Sequence, residues 1–259
     1  MTSILVIART TLGEALRKKI LNIFLLVALA MIAFSVSFAF FSAREELTII
    51  KSMGLGVIAI AGMFISIVLG INLVPAEIDR RTIYTILSKP VRRYEFLLGK
   101  FLGALMTIFV NLVLMTVVFL AMVTWKNHWH PEFSLLKGVV MIFFQMYLLS
   151  AVSLFFSVFI TPVVNFFLTS AVYIVGSLSD VTEVMSKGED KNPIIRGFYW
   201  LVHYLTPNFA NFFTQNPLIH PEVTIRNEGL YYASNIIYAI LYAAILLLIA
   251  IVVFEKRDM

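Results

Sequence analysis

Six apolar runs without a single charged residue govern what this chain can fold into: Ile20–Phe41, Met53–Pro75, Phe101–Trp125, Gly138–Ile160, Pro162–Leu178 and Asn235–Phe254. All 20 basic and 15 acidic residues fall outside them. Wound into helices, runs of about 20 apolar residues match the ~30 Å hydrocarbon core of a bilayer, and a helix satisfies its own backbone polar groups there. Composition points the same way. The chain is 60% hydrophobic and 14% charged, with a mean hydropathy of +0.92, whereas soluble domains carry about 25% charged residues. The expected fold is therefore an all-α integral membrane protein, a single transmembrane domain over residues 1–259 with six transmembrane helices. The fifth run is the shortest; its helix would rise about 26 Å, at the lower limit for crossing.

The uncharged spans also exclude functions. Ion-driven pumps carry an intramembrane Asp, Glu or His as a relay, and intramembrane hydrolases need acids, bases or metal ligands at depth. None lies in these runs, so energy for uphill movement of a substrate has to arrive from outside the bilayer. With no cysteine in the chain, disulfides, thiolate metal sites and thiol nucleophiles are excluded together. An enzyme would be confined to loop residues such as His128, His130, Glu132 and Asp180. The sequence His128-Trp129-His130 is open to two readings: imidazoles that converge on a metal with Glu132, or an aromatic interface belt around Trp125 and Trp129.

Orientation follows from the basic residues, because short Lys/Arg-rich loops stay cytoplasmic. With both termini inside, the inner segments hold twelve basic residues and the longer outer loops hold eight. The expected location is the plasma (inner) membrane, multi-pass, with cytoplasmic termini. The first run is too long for a signal-peptide core and reads as a retained span. Before it, residues 1–19 place Ile4, Leu5, Ala8, Leu12, Ala15 and Leu16 on one face, the pattern of an interfacial helix. Residues 179–234 form the expected external segment. There Ile194, Ile195, Phe198, Leu201, Val202 and Leu205 share a helical face that stops at Pro207, giving a short helix that lies in or dips into the outer interface as a lid or an anchor.

Neutral polar residues recur inside the spans at helical spacing. Asn165, Thr169, Tyr173 and Ser177 repeat every four residues, as do Gly99, Gly103, Thr107 and Asn111; Gly62, Ser66 and Gly70 form a small-residue ladder, and Ser150, Ser153 and Ser157 share a face. Such ladders bring helix backbones close. Asn111, Asn165, Thr169, Tyr173 and Ser177 are candidates to line a pathway or a dimer interface, because amides and phenols facing lipid are costly.

Between the second and third runs, nine charges crowd residues 77–100: Glu77, Asp79, Arg80, Arg81, Lys89, Arg92, Arg93, Glu95 and Lys100. Ile83, Ile86 and Leu87 form an i, i+3, i+4 apolar patch on a short helix that must end before Pro90, and a second helix then begins near Val91 and runs into the third span. Such a helix can enter a groove on a soluble partner while the flanking arginines pair with acidic residues at its rim. Anchoring to anionic lipid accounts for the basic residues but not for Glu77, Asp79, Glu95 or the Pro90 break.

The stretches Glu77-Ile78-Asp79-Arg80-Arg81-Thr82, Pro90-Val91-Arg92-Arg93-Tyr94-Glu95 and Gly99-Lys100 resemble the ABC-2 family of transporter permeases, in which E-x-x-R-x-T and P-V-x-R-x-E-x-x-x-G-K lie between the second and third spans. The chain departs from the family in carrying Arg81 where members commonly have Gly before the Thr. The resemblance implies a permease subunit paired with a second copy or paralogue, served by two cytoplasmic ATPase subunits that drive a coupling helix in residues 76–100. On that basis Glu77, Arg80, Arg81, Thr82, Ile83, Ile86, Leu87, Lys89, Pro90, Arg92, Arg93 and Glu95 are the expected ATPase-coupling residues. No G-x-x-x-x-G-K-[ST] phosphate loop occurs in the chain, so ATP and Mg belong to the separate ATPase, and this subunit is expected to bind no cofactor or nucleic acid and to catalyse nothing itself. The expected activity is export of an unidentified substrate, with aromatic-rich spans favouring an amphipathic or lipid-like one. The competing reading is a membrane scaffold or assembly factor whose loop docks a soluble partner without transport.

Overall fold

The computed structural model describes residues 3–39, 46–73, 75, 92–179, 184, 197, 200–202, 204–213 and 227–256. Among them there is no strand. The helices are α1 (Ser3–Leu16), α2 (Lys19–Ala39), α3 (Glu46–Ile71), α4 (Arg93–Lys126), α5 (Leu135–Ser157), α6 (Pro162–Ser177) and α7 (Glu228–Lys256), with a 3-10 turn at Ala210–Phe212. Five of them, α2, α3, α4, α5 and α7, are long and apolar enough to cross a membrane. The expected fifth span is present as α6, but its 16 residues rise only about 24 Å, so full crossing by length holds for the other five.

The middle of the bundle is α3, with 72% of its apolar window buried among α2, α4, α5 and α6. Small residues let it sit there. Gly54 lies under the Phe119 ring of α4, Gly70 abuts Ser153 of α5, and a Cβ on Gly62 would come within 3.2 Å of Met146. Between the last two contacts the hydroxyls of Ser66 and Ser150 are buried with no hydrogen-bond partner. This α3–α5 seam uses their small size, not their bonding.

Helix ends depart from the charge-free runs for local reasons. Arg93 starts α4 well before Phe101 because the Glu95 carboxylate accepts the Arg92 backbone N–H at 3.0 Å and closes the first turn. The end of α5 at Ser157 precedes a turn through residues 158–160; Thr161 is extended and Pro162 occupies the first turn of α6, where its missing N–H costs nothing. The chain thereby reverses, and α6 returns alongside α5.

Two segments lie elsewhere than their hydrophobic patterns implied. Along the first turns of α4, α1 buries Ala8, Thr11 and Ala15 and leaves Leu5, Val6 and Leu16 exposed. Its inward face is thus the small one, not the leucine-rich one. Residues 207–213, within the stretch expected to be external, pack among the helices, with Phe209 and Phe212 fully buried. The expected helix over 194–205 lies partly outside the described residues; residues 200–202 and 204–205 are helical, with Trp200 and Tyr204 exposed.

Candidate functional site

The loop expected to couple to a soluble partner leads directly into α4, and α1, α4 and α7 converge there. Of the coupling residues, Glu77, Arg80, Arg81, Thr82, Ile83, Ile86, Leu87, Lys89 and Pro90 lie outside the described residues. Arg92, Arg93 and Glu95 are described. Arg92 is exposed at the N-cap, and Glu95 closes the first turn. Arg93 reaches across to α7, where its guanidinium donates to the carbonyls of Phe254 and Glu255, each at 3.1 Å. Those carbonyls belong to the last described turn of α7, and a cation near the C-terminal end of a helix is favoured by the helix dipole. Beside this link, the Phe96 and Phe254 rings stack with centroids 6.2 Å apart.

On the opposite side of α4, Gly99 and Gly103 face α1. A Cβ on Gly99 would come within 2.8 Å of Ile7 Cβ, and one on Gly103 within 2.7 Å of the Ala8 carbonyl. Lys100, only 6% exposed, points its Nζ to within 3.9 Å of the Glu14 carboxylate on α1 and lies 5.8 Å from the Phe96 ring centre. The G-K pair therefore holds α1.

Of the neutral candidates, Asn111, Asn165 and Thr169 are buried within the chain and Tyr173 and Ser177 are half-buried, and their polar atoms are engaged there. Asn111 donates to the Thr107 carbonyl at 2.8 Å, and Thr107 to that of Gly103 at 2.8 Å. Asn165 donates to the Ser153 carbonyl of α5 at 2.9 Å and accepts from Thr169 at 2.8 Å. Ser177 returns its hydroxyl to the Tyr173 carbonyl. The Asn165 and Thr169 side chains of α6 thus face α5 within the subunit, while Val163, Val164, Phe167 and Ile174 form the exposed face.

Sequence reasoning passed over the residue that ties this region together. Gln145, the one amide in its run, is buried and donates to Tyr173 Oη and to the Phe209 carbonyl, each at 3.5 Å. Around it, residues 204–213 take their partners from three helices. The Phe209 N–H bonds to the Gly176 carbonyl at 3.0 Å. Asn208 N–H bonds to Tyr238 Oη at 2.9 Å. Tyr231 Oη and Asn235 Nδ2 both donate to the Asn211 carbonyl, and Tyr242 donates to that of Leu205. Gln145 lies about 12 Å along α5 from Lys137, whose ammonium pairs with Glu228 at the start of α7. Non-helical backbone is thus embedded in the bundle, as irregular chain at membrane depth must be.

The end of the bundle remote from the charged loop is laced by ion pairs. Lys51 meets Glu132 at 2.6 Å, Lys137 meets Glu228 at 2.8 Å, and Lys126 meets Glu46. Glu132 also accepts from Asn127, while His128 and His130 are exposed. On the flank, a groove of about 350 Å³ between α4 and α5 is lined by Phe109, Val113, Val117, Leu136, Val140 and Phe143 among others.

Residues 5–259 match the family model described as ABC-2 family transporter protein. No curated protein matches the chain.

Proposed function

Because the chain belongs to the ABC-2 transporter family, we propose that it is the non-catalytic permease subunit of an ATP-driven exporter, working with a separate ATPase in the plasma (inner) membrane. The observation that carries this reading is the match over residues 5–259, joined to the position of the charged loop between two helices long enough to cross the membrane. Two ATPase copies and a second permease copy or paralogue complete the working unit, and both termini face the cytoplasm with the loop. In this reading Glu77, Arg80, Arg81, Thr82, Ile83, Ile86, Leu87, Lys89 and Pro90 meet the ATPase. Arg92 completes that surface at the N-cap of α4.

The substrate is amphipathic or lipid-like. Support comes from the apolar groove between α4 and α5 and from the exposed apolar face of α6. A pathway between two copies would run along such exposed faces, while Asn111, Asn165, Thr169, Tyr173 and Ser177 set the helix positions that shape it.

Purification of the tagged chain in mild detergent with its genomic ATPase partner co-expressed tests the assignment. A stoichiometric ATPase that is lost on the double reversal Arg80→Glu with Arg81→Glu is the expected result. A stable, well-folded permease that never retains an ATPase would replace this reading with that of a scaffold docking a different soluble protein.

A further inference from the structure

We propose that Arg93, Glu95, Gly99 and Lys100 form an internal clamp that makes α1, the start of α4 and the end of α7 move as one body, and that these residues act on coupling as positioning groups without touching the ATPase. The proposal rests on the permease reading above, but its structural half is independent of it.

Each residue is already committed inside the chain. Arg93 donates to Phe254 and Glu255 at the end of α7, Glu95 accepts the Arg92 N–H, Gly99 admits Ile7, and Lys100 is buried beside Glu14. All four belong to the P-V-x-R-x-E-x-x-x-G-K stretch, of which Arg93 and Glu95 were expected on the partner surface. The stacked Phe96 and Phe254 rings add a second contact between the same two helices.

A force applied to the loop before α4 meets this junction first. If α4 were tied to neither neighbour, the loop could tilt its first turn alone and the displacement would dissipate there. With α7 held at its last turn and α1 held along its small-residue face, displacement of the loop carries all three helices. The half of α7 away from the clamp holds residues 204–213 through Tyr231, Asn235 and Tyr238, so α7 gives the clamp a rigid connection to the opposite side of the bundle.

The chain has no cysteine, so labels can be placed without background. Spin labels on Arg9→Cys in α1 and Glu255→Cys in α7 report the distance between the two clamped helices by pulsed electron paramagnetic resonance. Expected for Arg93→Ala is a distance distribution at least twice as wide as in the parent, with insertion and ATPase copurification unchanged, and with the distance shift on adding Mg-ATP to the complex reduced by half or more. Arg93→Lys, which can still donate to carbonyls, should restore most of the narrow distribution. A second variant pair guards against misfolding: Lys100→Glu should broaden the distribution, and adding Glu14→Lys should narrow it again.

A distribution that stays narrow in Arg93→Ala overturns the clamp. Loss of the ATPase from that variant, with the permease folded, overturns it by making Arg93 a partner contact. If the parent retains no ATPase at all, the permease reading fails, and the width of the distribution still decides whether the clamp exists.

Discussion

A buried small side chain serves either by its size or by its bonding, and substitution separates the two. Ser66 and Ser150 carry hydroxyls without partners, so Ser66→Ala should be neutral or slightly stabilising, because no hydrogen bond is lost and an unpaired polar group is removed. Gly176 is the opposite case. A methyl there would overlap the Pro207 carbonyl and press on Phe209, and neither backbone can yield without breaking the Phe209–Gly176 hydrogen bond. Gly176→Ala should cost about 1–3 kcal/mol despite better helix propensity. Thermal unfolding of the detergent-solubilised protein, read as the loss of the monodisperse peak on heating, checks both. Asn165→Leu tests bonding in the same assay. It removes the link to Ser153 and the acceptor for Thr169, a loss of about 1–2 kcal/mol.

At the scale of elements, α7 carries two unlike duties. Toward the loop end it is held by Arg93; toward the other end its tyrosines supply partners to residues 204–213, whose own regular structure is limited to short helical turns. Tyr238→Phe leaves the Asn208 N–H without its acceptor inside the bundle, and about 1–3 kcal/mol of stability should go with it. The matching change Tyr232→Phe, at a ring whose hydroxyl holds no backbone group of residues 204–213, should cost under about 0.5 kcal/mol. The long apolar helices were legible in the sequence because twenty uncharged residues have few other ways to satisfy their backbone. So was the start of α4, because the Pro90 break ends one helix and lets the next run from near Val91 into the third span; it begins at Arg93. The inward face of α1 was not: hydrophobicity favours Leu5 and Leu16, but close approach to Gly99 and Gly103 selects Ala8 and Thr11. Residues 207–213 carry Pro, Asn and Phe without helical period, and only helices brought from far along the chain place them inside. Gln145 had left a signal, a lone amide in an apolar run.

For the molecule as a whole, the expectation is a division of labour between surface and clamp. Charge reversal at Arg80 and Arg81 should abolish ATPase copurification, whereas Arg93→Ala should keep the ATPase and lose at least half of the nucleotide-driven movement. Measured together on one preparation, ATP hydrolysis and label displacement should fall in parallel for the first variant and separate for the second. Weakening the ion pair between Lys137 and Glu228, exposed on both sides, should leave thermal stability essentially unchanged because solvent screens it, which makes it a suitable control for changes at the far end of the bundle.

The dependence of residues 204–213 on α7 also sets an order of biogenesis. During insertion this segment leaves the translocation machinery before Tyr231, Asn235, Tyr238 and Tyr242 exist in the membrane, and its N–H and C=O groups would face lipid if it descended alone. It must wait at the water boundary until the last helix arrives, so a chain truncated before α7 would retain its earlier spans yet leave residues 204–213 open to protease.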